Sequence, residues 1–194
     1  MISVLLDSSN TSLSVGLMKD DVLLDFVSYE AWQTQSEKMV PELDNLFKKN
    51  NVERKDISSI IVAVGPGSYT GVRISLTIAK TMALALGIPV YPVSSLRILK
   101  DSELTSICVI NARSGRSYFG VYQGKNIIIE DCIKTNDEVL EYIKKHPNYV
   151  VCGDARYLGL SKIDNNVCLQ MVQLYPFLKP CENHLGLKPI YMKD

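Results

Sequence analysis

Residues 65–71 read GPGSYTG, which packs three glycines, a proline, a serine and a threonine into seven positions. The stretch lies between the apolar runs SIIVAV and VRISLTIAKTMALAL. A glycine-rich turn that opens a helix can point several backbone N–H groups at one anion, and the helix dipole adds to the attraction. The detailed spacings of known phosphate cradles are absent. A G-x-x-x-x-G-K-[ST] loop fails because Gly67 and Gly71 are one residue too close, Gly65 and Gly71 one too far, and Val72-Arg73 stands where Lys-Ser belongs. A G-x-G-x-x-G fingerprint fails because its third glycine, Gly71, comes one place late. The competing reading is a tight turn. Gly65 and Gly67 would take positive φ, Ser68 or Thr70 would cap the helix, and Gly71 would allow close packing.

A second candidate follows the first apolar run. Asp7-Ser8-Ser9-Asn10 could hold a hydrated Mg²⁺ beside a phosphate, with Asp7 as its carboxylate. A hairpin built for that purpose usually supplies glycine, whereas this one supplies serines and an asparagine, and the competing reading is a polar Asx turn. His146 and His184 are the only histidines, and neither has a partner at metal-ligand spacing. No G-x-S-x-G elbow occurs, so no nucleophile and base are evident. Lys80 sits mid-helix among apolar neighbours, free to snorkel or pair. Trp32, the sole tryptophan, is either core or a contact for another chain.

These residues need elements to hold them. ISVLL (2–6) reads as a buried strand. Leu13, Val15 and Leu17 alternate as a second, and VLLDFVSY (22–29) follows the turn Lys19-Asp20-Asp21 as a third. Met39, Leu43, Leu46 and Phe47 form a helical stripe capped at Ser36, and Pro41 requires that helix to start near 39 or 40. SIIVAV (59–64), a helix over 72–86 stopped by Gly87, a strand at 90–93 and a short helix capped by Ser94-Ser95 complete a β-β-β-α-β-α-β-α half. A lobe boundary is expected near Asp101-Ser102-Glu103, giving lobes at 1–102 and 103–194. The second half repeats the order in shorter form. SICVI, SYFGVYQ and IIIEDCI are its strands, Thr135 caps a helix to Lys145, YVVCG is a strand and 167–178 a last helix.

The 21 basic and 21 acidic residues cancel, so a strand of nucleic acid has no basic stripe to bind unaided. Lys48-Lys49 and Lys144-Lys145 read as solvated pairs at helix ends. Five cysteines without a C-x-x-C pair point to a reducing compartment. MISVLLDSSN reads as a first strand and not a leader, and no apolar run reaches membrane-spanning length. A cytoplasmic protein is expected.

VLLDSSNTSLSVGL, GPGSYTGVRIS, AKTMALALGIPVYPVSSL and INARSGRSYFGVY together resemble the TsaB (YeaZ) family. The likeness is strong over residues 1–124 and weaker beyond. It implies the α/β fold of actin-like and sugar-kinase-like ATPases, with two lobes that each hold a mixed sheet and packed helices. It also implies a non-catalytic subunit of the bacterial tRNA threonylcarbamoyladenosine (t6A) transferase. Such a subunit pairs with a metal-bearing TsaD subunit, is joined by a TsaE ATPase, reaches tRNA through the complex and forms a homodimer alone. No cofactor is implied for the isolated chain, and ATP and Mg²⁺ enter with the complex.

The same resemblance places the shared pairing surface on the helices at about 36–49 and 72–86. Met39, Leu43, Leu46, Val72, Leu76 and Lys80 are its expected contacts. Asp7, Ser8, Ser9, Gly65, Gly67, Ser68, Thr70, Gly71 and Arg73 become a vestigial phosphate or partner loop. Family members commonly carry histidine where Gln35 stands and aspartate where Asn111 stands, and these departures argue against an ancestral metal role, not against the resemblance. The rival readings are an ATP-dependent small-molecule kinase using Asp7, and a peptidase acting on the TsaD partner with Ser68 as its best candidate.

Overall fold

The computed structural model describes residues 1–161, 163 and 165–192, so the expected second lobe includes four positions, 162, 164, 193 and 194, outside the described residues. The first sheet has the order β3-β2-β1-β4-β5. Its strands are β1 (Ile2–Asp7), β2 (Ser12–Lys19), β3 (Val22–Glu30), β4 (Ile57–Ala63) and β5 (Val90–Val93). The first three form an antiparallel meander, while β4 and β5 add in parallel after helical crossovers. Helices α1 (Gln35–Lys49) and α2 (Tyr69–Leu86) make those crossovers. The second sheet has the order β8-β7-β6-β9, from β6 (Ser106–Arg113), β7 (Arg116–Gln123), β8 (Asn126–Thr135) and β9 (Val150–Cys152). Helix α3 (Asn136–Lys145) joins β8 to β9, and α4 (Val167–Leu174) follows.

Strand periodicity sorts the core into layers. Val4 and Leu6 of β1 face α1 and α2 together with Ile60 and Val62 of β4, while Leu5, Ile61 and Ala63 face the other lobe. On β6, Cys108 and Ile110 join that inter-lobe core, and Ile107 and Val109 pack towards α3. Strands buried on both faces read as near-continuous apolar runs, as ISVLL and SIIVA do, and the one serine in each, Ser3 and Ser59, satisfies its buried hydroxyl against the other at 2.6 Å. The first hairpin closes through Asp20 and Asp21 at φ 51° and 63°, the backbone that a two-residue type I′ turn demands.

Three local expectations change. Helix α1 starts at Gln35, not near 39 or 40, so Pro41 lies inside it and Ser36 is not its cap. The Thr34 carbonyl instead accepts from the Glu37 and Lys38 amides. The short helix after β5 is a single 3-10 turn at Arg97–Leu99, where Ser94 Oγ accepts from the Leu96 and Arg97 amides at 3.2 Å. Ser95 turns inward and binds the glycine loop. The boundary near residue 102 separates the two sheets but not the packing. Helix α4 returns to cover β1, β2 and β3 of the first sheet. The segment after it runs back along β5 and α2, with the Cys181 amide donating to the Val90 carbonyl at 2.8 Å.

Between the lobes lies a buried polar bridge. Lys100 is 2% exposed, and its Nζ donates to Gln170 Oε1 at 2.7 Å, while Gln170 Nε2 donates to Ser102 Oγ at 2.7 Å. Burial pushes the Lys100 ammonium below its ordinary value of 10.5. A lysine held below its unfolded value releases its proton sooner in the folded state, so folding gains stability as pH rises through that window. Gln170→Leu strands the ammonium and is expected to cost about 3 kcal/mol near neutral pH. The loss should shrink in urea melts at alkaline pH; a loss independent of pH contradicts the assignment.

Candidate functional site

A cleft of about 880 Å³ opens between the lobes. The β1–β2 turn (Ser9 to Thr11), Trp32 and Gln33 of the β3–α1 loop, Gln35 and Ser36 at the start of α1, and Gly67 to Thr70 at the start of α2 form one wall. The end of β6 (Asn111 to Arg113), Tyr118 on β7, and Asp154, Arg156 and Tyr157 form the other. Arg156 is gripped by Asp154 through Nε at 2.8 Å and Nη2 at 2.5 Å, and reaches Glu30 of the first lobe at 3.5 Å. Tyr157 donates to Ser117 Oγ at 2.7 Å, and burial pushes its phenol up to about 12.

The glycine loop sits at the cleft edge, and its glycines are required by polypeptide, not by ligand. A Cβ on Gly71 would lie 1.9 Å from the Ser8 carbonyl oxygen, and one on Gly67 would lie 2.2 Å from that of Ser9. The β1–β2 turn therefore presses directly into the loop. Its hydrogen bonds complete the junction: the Ser68 amide donates to the Ser9 carbonyl at 2.6 Å, and Ser8 Oγ donates to the Gly71 carbonyl at 2.7 Å. Ser68 is the N-cap of α2 and accepts from the Gly71 amide at 3.2 Å. Gly65 has φ 103°, and its amide donates to Ser95 Oγ at 3.0 Å. Of the two glycines expected at positive φ only Gly65 takes it, since Gly67 serves close approach. The space and donors that a phosphate would use are taken up by Ser8, Ser9 and Ser95, so the loop does not fit that group.

Asp7 is equally unsuited to a cation. It is 3% exposed, does not line the cleft, and accepts the Ser9 amide at 2.9 Å in an Asx turn. Among the described residues no group of three His, Cys, Asp or Glu side chains is placed to hold a metal ion. Burial raises the Asp7 carboxyl above its ordinary 3.8. An acid raised in this way keeps its proton longer in the folded state, so folding loses stability as pH rises through the window and bears the full cost above it. Asp7→Asn keeps the acceptor oxygen and removes the charge. It is expected to raise the melting temperature at pH 7 and to flatten the gain on acidification; a lower melting temperature at neutral pH contradicts this reading.

The helical contacts need correction. Met39, Leu43, Leu46, Val72 and Leu76 are all 5% exposed or less, and Met39, Leu43, Leu46 and Leu76 belong to the core under the first sheet. Apolar periodicity finds the buried face of a helix, and a pairing surface must use the other face. Lys80 alone stays partly exposed, with its Nζ donating to the Leu185 carbonyl at 3.1 Å. Arg73 lies over the Tyr69 ring at 3.8 Å and donates to Tyr191 Oη at 2.7 Å. Thr70 is exposed at the cleft wall. Gln35 is buried, and its Nε2 donates to the Asn10 and Ser12 carbonyls at 2.7 and 3.3 Å, tying α1 to the β1–β2 turn. Sequence reasoning missed the C-terminal strap altogether. There the Ile190 amide donates to the Val64 carbonyl at 2.7 Å and Tyr191 stacks on Tyr69, contacts between residues more than a hundred positions apart that no local signal announces.

Residues 27–162 match the family described as TsaD, tRNA N6-adenosine threonylcarbamoyltransferase. The tRNA threonylcarbamoyladenosine biosynthesis protein TsaB of Bacillus subtilis is 36% identical over 147 residues, 72% of this chain and 63% of that protein. The chain belongs to the TsaB (YeaZ) family. A second TsaB, from Buchnera aphidicola, is 28% identical over 195 residues, 92% of this chain and 90% of its own length. YeaZ from Pseudomonas aeruginosa superposes with a TM-score of 0.80 at 19% identity, covering 98% of this chain and 99% of that one. The likeness of fold agrees with the α/β architecture of two mixed sheets. The match spans just under two thirds of the Bacillus TsaB. Among the described residues no helix is long and apolar enough to cross a membrane.

Proposed function

We propose that this chain is a non-catalytic subunit in t6A biosynthesis, which pairs with a TsaD-type transferase through the outer faces of α1 and α2. Its membership of the family supports the pathway, since its relatives in B. subtilis and B. aphidicola are named as t6A biosynthesis proteins. The observation that carries the pairing role is the outer surface of α2. Leu84 is 62% exposed, Ala85 is exposed, and Ile78 and Met82 are half-buried, while Val40 on α1 is 53% exposed. Between Tyr69 and Leu86 the helix carries no acid, and its two cations, Arg73 and Lys80, are drawn aside to Tyr191 and Leu185. A long uncharged face of this kind is suited to another helical surface. In isolation the same face would join two copies. The TsaE-type ATPase, ATP, Mg²⁺ and tRNA then enter through the assembled complex, and the chain works in the cytoplasm.

The kinase and peptidase readings gain nothing from the geometry. Asp7 is buried behind its Asx turn, and Ser68 Oγ caps α2. The test is depletion of the chain in its own cell, with the t6A content of bulk tRNA read by nucleoside mass spectrometry. Loss of t6A, restored by the wild-type chain and by Ser68→Ala, is expected. Unchanged t6A after depletion overturns the pathway reading.

A further inference from the structure

We infer that the rim of the inter-lobe cleft formed by Trp32 and Tyr69 is a stacking site for an unpaired nucleobase. Three observations lead there. First, both rings are placed where a core would not put them. Trp32 is 45% exposed and joins none of the three cores, and Tyr69 is 58% exposed with the Arg73 guanidinium 3.8 Å from its ring centroid. Large aromatic surface left open on a concave wall offers a flat, apolar platform to a flat ligand. Second, the Tyr69 ring is braced. It stacks on Tyr191 at 5.1 Å, with Arg73 bonded to the Tyr191 hydroxyl. Third, the charge of the cleft selects the ligand. Its one lining carboxylate, Asp154, is engaged by Arg156, and the Arg113 guanidinium has no partner among the described residues.

Among the described residues, a ligand with several negative charges finds one unpaired guanidinium, and a cation finds no unpaired acid. A planar ring with hydrogen-bonding edges and at most one adjoining phosphate matches the wall. Gln33, Thr70 and the amide of Asn111, whose oxygen already accepts the Arg113 backbone amide at 2.8 Å, can meet the edges of such a base. Recognition would rest on the rings, since the glycine loop is filled by Ser8 and Ser9. The base can come from an RNA strand or from a free nucleotide; only the first source draws on the pathway reading above.

Trp32, as the sole tryptophan, reports occupancy directly. Its fluorescence should be titrated with AMP and, separately, with a short unpaired oligoadenylate. Saturable quenching is expected with at least one of them. Quenching by the oligonucleotide alone assigns the base to an RNA strand, and quenching by AMP at equal or lower concentration assigns it to a free nucleotide. Tyr69→Ala should weaken binding about tenfold, the usual cost of losing one stacked ring, and Tyr69→Phe should restore it. Quenching that stays linear with both ligands, or saturable quenching that Tyr69→Ala leaves unchanged, overturns the inference. The pairing face lies outside the cleft and is read by light scattering, so either reading can fail alone.

Discussion

Gly71→Ala is expected to destabilise the folded chain by about 3 kcal/mol or more, the upper end of the cost of overpacking. The new methyl, fixed rigidly to the backbone, would meet the Ser8 carbonyl oxygen at 1.9 Å. Neither side can yield cheaply. Ser8 follows the central strand β1, its hydroxyl donates to the Gly71 carbonyl, and Ser68 holds the Gly71 amide. Gly87→Ala is the control. It lies at the end of α2 with φ 67° and nothing within 4 Å of the added carbon, so only the left-handed backbone penalty of about 1 kcal/mol applies. Urea unfolding of the two variants separates the alternatives. A loss at Gly71 no larger than at Gly87 means that the loop has room, and reopens it to a phosphate.

Leu84→Glu is expected to weaken pairing a hundredfold or more without unfolding the chain, because an apolar contact centre tolerates an unpaired carboxylate poorly. Leu84 is 62% exposed on α2 and contributes nothing to the core, so its melting temperature should move little. Leu76→Glu makes the opposite case. At 2% exposure beneath the same helix it should unfold the protein and say nothing about partners.

Much of the architecture was legible because alternation and helical periodicity report burial. The nine strands among the described residues and both meanders follow from them, and the Thr135 cap from its side-chain acceptor. The reading of the α1 and α2 faces went wrong for the same reason. Met39, Leu43 and Leu76 stand out in sequence as the core does, whereas Leu84 and Met82 do not stand out against an apolar helix. The composition of the glycine loop is compatible with an anion cradle or a tight turn; the turn's Ser68 cap and close packing at Gly71 are found, and what presses on the glycines is the Ser8–Ser9 backbone, sixty residues earlier. Gln35, standing where the resemblance places a histidine, is a strut between α1 and the β1–β2 turn. Trp32 stayed undecided because a lone tryptophan in a loop carries no period.

The measurement that bears most directly on the pairing role is light scattering coupled to size exclusion, on the chain alone and mixed with the TsaD-type protein of the same cell. The account predicts twice the 21.7 kDa chain mass when alone, exchange into a one-to-one complex on mixing, and a monomer in both cases for Leu84→Glu. A wild-type chain that elutes apart from the TsaD-type protein under all conditions would contradict it.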